Sequence, residues 1–130
     1  MAKHAPTVAR YQSNQYLVLA YDGPGSQPMR DAHLDAHLEH IERHLDRYVV
    51  CGPMLKDGGP ALLGSFFVVF AADEADARAL LDGDPYLNCG MYARIDVQQV
   101  TVAAGTAIGG VIWESGDAIR AAQAAAKAAS

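Results

Sequence analysis

The chain has 130 residues, enough for one domain with a self-supporting core. Hydrophobic residues make up 51% and charged residues 19%, a globular composition, and the formal net charge is −5. Only ten Lys and Arg are spread along the chain, which argues against nucleic acid as a partner, since phosphate binding needs clustered cations.

Residues 1–14 mix polar and small side chains without a period and read as a flexible N-terminal lead. They carry no apolar signal-peptide segment, and two cysteines, Cys51 and Cys89, make no disulfide framework. The expectation is a cytoplasmic protein with free thiols. "QYLVLAY" (15–21) is rich in β-formers and runs into the turn cluster "DGPGSQP", so it predicts a first strand. A helix should start soon after Pro28, with Asp31 near its first turn. "YVVCGPM" (48–54) and "LLGSFFVVFAA" (62–72), separated by "KDGGPA", predict a strand hairpin.

Asp73 is a plausible N-cap for a second helix, "EADARALLDG", ending near Gly83. "DPYLNCG" reads as irregular, and "MYARIDVQQV" with the residues after it (91–102) as a strand with one solvated face. The order β-α-β-β-α-β is the split-βαβ, ferredoxin-like pattern of an α+β fold. It predicts a four-stranded antiparallel sheet with two helices on one face and an uncovered second face over residues 15–104. Residues 105–130 form a C-terminal extension. In it "TAIGGVIWE" reads as a short strand and "SGDAIRAAQAAAKAAS" as an Ala-rich helix that packs on a partner subunit or frays. The apolar stretch 107–113 is far too short to span a bilayer, so no membrane partner is expected.

Four of the five histidines fall in "HLDAHLEHIERHLD" (33–46). At about 100° per residue, His33, His37, His40 and His44 share a stripe ~60° wide. Leu34, Leu38, Ile41 and Leu45 form a second stripe, and Asp35, Glu39, Glu42 and Asp46 a third. The leucine stripe is expected to face the sheet, with the imidazoles on the shoulder and the carboxylates in water. The i,i+3 and i,i+4 histidine spacings could each supply two metal ligands, but one helix rarely closes a tetrahedral site. The only other histidine, His4, lies in the N-terminal lead and HExxH is absent. No metal and no cofactor are therefore expected, and His37, His40 and His44 read as shoulder residues pairing with acidic neighbours.

The ordered pieces "RDAHL", "CGPM", "LGSFFVVF" and "DPYLNCGMYARIDVQQV" resemble the YCII-related (YciI-like) family over roughly residues 15–102. The resemblance implies a dimeric α+β barrel in which the open sheet faces of two subunits cover each other, leaving room for higher oligomers. It implies a His–Asp pair at the site, carried here by His33 at the start of the first helix and Asp84 in the "DPY" turn. Family members with assigned activities include dehydrochlorinases acting on chlorinated hydroxyquinols. The implied function is therefore proton transfer, by elimination or isomerisation, on a small cyclic or phenolic substrate. The alternative is a non-catalytic small-molecule-binding or accessory protein using the same cleft.

The chemistry is sound independently of the family. An imidazole titrates near neutrality, and a carboxylate on one ring nitrogen fixes the tautomer and makes the other a better base. Pro85 forces Asp84 into extended backbone and so out of the helix; alternatively Asp84 only bonds its own turn. Ser65, Tyr86, Tyr92 and Arg30 are candidate substrate-binding residues. For the tyrosines packing is the competing reading, and for Arg30 a surface position at the helix start. A thiol beside an imidazole could be nucleophilic, which brings in Cys89, whereas Cys51 reads as a small buried residue. The compact loop "DGPGSQPM" and the tail beyond residue 104 depart from the family, so substrate identity does not carry over.

Overall fold

The computed structural model describes residues 13–129; the predicted N-terminal lead, but for its last two residues, lies outside them, as does His4. Residues 13–101 form one compact unit. Its strands are β1 (Gln15–Asp22), β2 (Tyr48–Leu55), β3 (Leu62–Phe70) and β4 (Tyr92–Val100). They make an antiparallel sheet in the order β2-β3-β1-β4, the ferredoxin-like topology expected from the element sequence.

Helix α1 (Ser26–Arg43) links β1 to β2 and starts earlier than Pro28 suggests, behind Gly25 in left-handed backbone (φ 74°). Helix α2 (Glu74–Asp82) is capped as expected, the Asp73 carboxylate accepting the Asp76 N–H at 2.8 Å. The "DPY" segment is not irregular. Pro85 at the first helical position starts a single turn, α3 (Pro85–Asn88).

Alternation along the strands divides the sheet into two faces. Tyr16, Val18 and Ala20 of β1, Tyr48 of β2 and Phe67 and Val69 of β3 are buried with Ala77, Leu80 and Leu81 of α2. On the opposite face Leu17, Leu19, Phe66 and Val68 are only half-buried, and β4 presents Arg94 and Asp96, paired at 2.7 Å.

Helix α1 is rotated from its expected pose. Leu34, Leu38 and Leu45 are 44%, 46% and 63% exposed, while Arg30, His37 and His40 are buried. The acidic stripe is exposed as predicted. The helix is therefore seated by its polar stripe, and only Ile41 of the apolar one packs against the core. The physical cause lies in what faces it: a fully buried carboxylate, Asp84, whose desolvation is tolerable only against a hydrogen-bonding partner.

Residues 102–129 form a second unit. In place of one strand, "TAIGG" makes a 3-10 turn (Thr106–Ile108) between two short paired strands, β5 (Ala104–Gly105) and β6 (Gly110–Val111). Helix α4 (Gly116–Ala129) follows, its first turn capped by the Ser115 hydroxyl accepting the Ala118 N–H at 3.0 Å. No helix among the described residues is long and apolar enough to cross a membrane.

Candidate active site

Asp84 ends the α2 turn in extended backbone (φ −84°, ψ 124°), as a residue before proline must. One carboxylate oxygen accepts the Tyr86 N–H at 2.9 Å, so the aspartate does cap its own turn. It does more than that. His37 Nδ1 lies 2.8 Å from both carboxylate oxygens. A carboxylate only accepts, so Nδ1 carries a proton, and in the neutral ring Nε2 holds the lone pair. The Tyr86 ring stacks on the imidazole at 3.8 Å between centroids and 6° between planes. Tyr86 is held in turn by its hydroxyl, which donates to the Arg30 carbonyl at 3.1 Å. Asp84 thus sets the tautomer of His37, and Tyr86 sets its plane.

Arg30, two turns before His37 on the same face of α1, is only 6% exposed. Its guanidinium forks onto Asp22 at the end of β1, with Nε at 3.1 Å and Nη2 at 2.8 Å. Nη2 also reaches the Ser65 hydroxyl at 3.2 Å, and Ser65 Oγ lies 2.7 Å from the Tyr92 hydroxyl. Burial works against the Arg30 charge, but the Asp22 carboxylate outweighs it and holds the guanidinium pKa above its ordinary value. Burial pushes the Tyr92 phenol up to about 12, against the opposing pull of Ser65 and Arg30. Tyr92 is therefore a neutral hydroxyl at any ordinary pH.

The placement of Ser65 depends on its neighbour. A Cβ on Gly64 would lie 2.0 Å from the Ala20 carbonyl oxygen, so only glycine lets β3 approach β1 closely here.

Between α1 and the β2–β3 hairpin is a cavity of about 480 Å³. Arg30, His37, Ser65 and Tyr86, all buried, form its floor; Leu34 and Leu38 of α1, both exposed, stand at its mouth with Pro53 and Leu62. Asp84 does not line it and sits behind His37. The floor offers a lone-pair-bearing imidazole nitrogen, a hydroxyl and a guanidinium within one small volume, an arrangement suited to moving a proton on a bound ring.

The structure corrects one sequence expectation and completes others. The histidine paired with Asp84 is His37, not His33. His33 lies one turn earlier, half-buried, and does not line the cavity. Asp84, Ser65, Tyr86, Tyr92 and Arg30 are brought together, and Arg30 is buried rather than on the surface. Sequence reasoning missed His37 and Asp22. No local signal singles out His37: His33 lies about 40° from it in the same stripe, and only the axial position, one turn further along the helix, brings His37 to Asp84.

The other motif residues have plainer roles. His40 is buried beside Gly83, where a Cβ would come within 3.0 Å of His40 Cε1. Its Nε2 has no hydrogen-bond partner among the described residues, and burial lowers its pKa despite the attraction of Asp84. Cys51 is half-buried on the cavity wall, its thiol pushed up by burial and by Asp84, so it is neutral. Cys89 donates its thiol to the Tyr86 carbonyl at 3.6 Å. Among the described residues no three His, Cys, Asp or Glu side chains gather as a metal site.

The YCII-related domain model matches residues 14–101. Among solved structures, 5-chloro-2-hydroxyhydroquinone dehydrochlorinase (TftG) from Burkholderia phenoliruptrix AC1100, in complex with 2,5-dihydroxybenzoquinone, is 26% identical, with a TM-score of 0.62. The match covers 71% of this chain and 96% of that one. The protein NE2512, of unknown function, from Nitrosomonas europaea is 20% identical over 73% of this chain and 94% of that one, with a TM-score of 0.46. A dimeric ferredoxin-like protein of unknown function from Thermobifida fusca is 14% identical over 76% and 100%, also with a TM-score of 0.46. No curated protein matches significantly.

Proposed function

The chain belongs to the YCII-related family, and from that premise we propose that it is a small-molecule enzyme of the lyase or isomerase type. In this reading His37 is the general base and acid, and Asp84 holds and stabilises its protonated form. The substrate is a small cyclic or phenolic compound. His37 Nε2 accepts a proton from a ring hydroxyl or a neighbouring C–H. The released electron pair either shifts the double bond or expels a leaving group, and the imidazolium returns the proton to product or water. Arg30 and Ser65 face the oxygen on which negative charge develops.

The observation that carries this reading is His37 held between a buried carboxylate and a cavity, with Nε2 the nitrogen left for substrate. The likeness to a dehydrochlorinase supports elimination as the first reaction to try. The test is chloride release from 5-chloro-2-hydroxyhydroquinone and related chlorinated hydroxyquinols. The wild-type chain is expected to release chloride, and His37→Ala and Asp84→Asn to lose about 10²–10⁴-fold in rate while staying folded. Full activity in both variants overturns the assignment, and tight binding of these phenols without turnover assigns the accessory role instead.

The protein is further proposed to act in the cytoplasm as a homodimer. Within residues 13–101 both long helices lie on one face of the sheet, leaving Leu17, Leu19, Phe66 and Val68 for a second copy to cover. Light scattering of the full chain is expected to give twice the monomer mass, and a strictly monomeric protein at micromolar concentration contradicts it.

A further inference from the structure

The cavity is far larger than one aromatic ring requires. A closed apolar cavity of ~150 Å³ is enough to hold benzene, whereas this one measures about 480 Å³. Its two ends differ in chemistry. The buried floor carries the polar groups beside Phe67, and one side of the mouth is apolar: Leu34 and Leu38, on successive turns of α1, stand across from Pro53 and Leu62, with exposed Gln27 and Asp31 also lining the cavity. Each of the two mouth leucines leaves nearly half its surface exposed, which water does not favour.

Charge narrows the choice further. Among the described residues lining the cavity the cation is Arg30, already bidentate to Asp22, while Asp84 stands behind His37 and Asp31 lines the cavity on its exposed side. A ligand carboxylate would meet an excess of negative charge, whereas a neutral hydroxyl can bond Ser65, His37 or the guanidinium edge.

We propose that the ligand of this cavity is an uncharged phenol bearing an apolar substituent, with its hydroxylated ring on the polar floor and the substituent between the mouth leucines and Leu62. The inference rests on the small-molecule reading above and adds its ligand class. A ring bound head-first at Ser65 and His37 directs a substituent outward, along the side of the mouth lined by Leu34, Leu38, Pro53 and Leu62.

The test is calorimetric titration of the full chain with catechol and its alkyl homologues from methyl to hexyl. Each methylene placed against the leucines is expected to tighten binding about three- to fourfold, the effect of burying one CH₂ group. In the L34S/L38S double variant, whose changes fall at exposed positions, this increment per methylene should drop by at least half. Protocatechuate, which adds a carboxylate to the same ring, should bind at least tenfold more weakly than methylcatechol. An affinity independent of chain length overturns the proposal, as does an increment unchanged in the double variant. A flat series alongside His37-dependent chloride release leaves the enzyme reading standing and removes this one. A steep series without any turnover does the reverse, and no binding by any catechol removes this proposal too.

Discussion

Arg30 and Asp22 form a two-pronged ion pair, at 2.8 and 3.1 Å, in which both side chains are nearly buried. The pair ties the start of α1 to the end of β1 and holds the helix over the cavity floor. Breaking a buried pair from one side leaves an uncompensated charge, which is costly. Asp22→Ala is therefore expected to destabilise the chain by ~3 kcal/mol, read as a lower urea midpoint. Arg30→Lys should recover little, because an ammonium cannot fork onto the carboxylate while also reaching Ser65. A midpoint unchanged in Asp22→Ala would show that the pair contributes nothing net.

His33 and His37 separate the two readings of the helix most directly. Replacing His37 by Ala is expected to reduce turnover about 10²–10⁴-fold, because it removes the imidazole on Asp84. Replacing His33 by Ala should change the rate less than threefold, since that side chain is outside the cavity. Steady-state rates of the two variants on one chlorinated hydroxyquinol decide it, and the opposite ranking would restore His33.

His40 makes stability depend on pH in a predictable direction. Burial lowers its folded pKa below the ordinary 6.5 of a free imidazole, with Asp84 opposing and His44 and Arg43 adding to the effect. The unfolded chain therefore binds a proton more readily than the folded one. The stability held above pH 6.5 is lost progressively as pH falls from there toward the lowered folded value. Melting temperatures from pH 8 to pH 5 should decline less in His40→Leu than in wild type, and parallel declines would assign the acid sensitivity elsewhere.

Gly64 is expected to be intolerant of substitution. A methyl group would overlap the Ala20 carbonyl oxygen at 2.0 Å, and neither strand can yield without displacing Ser65. Gly64→Ala should cost ~3 kcal/mol, at the upper end for overpacking, and weaken phenol binding as well. Equilibrium unfolding with a parallel binding titration checks both effects, and a variant of wild-type stability would mean that the strands can separate there at no cost.

Much of the fold was legible because it rests on local chemistry. Alternation in "QYLVLAY" and "LLGSFFVVF", the Asp73 cap and the glycine-rich turns are decided within a few residues of themselves. Asp84 was singled out through the family resemblance of its "DPY" turn, and Pro85 accounts locally for its extended backbone. The choice among four histidines was not legible. Hydrophobic periodicity places a helix by its leucines, and that rule failed at α1, where His37, His40 and Arg30 point inward and Leu34 and Leu38 outward.

By itself, then, the sequence determined the order of the main elements and their antiparallel pairing, while Asp84 came from the family resemblance. The tertiary structure decided the rotation of one helix, and with it which imidazole meets Asp84 and which leucines rim the cavity. The reason is energetic. A buried carboxylate left unpaired costs more than two leucines left half in water, so α1 turns to satisfy Asp84. Asp84 stands 47 residues from its partner, a distance no local pattern spans.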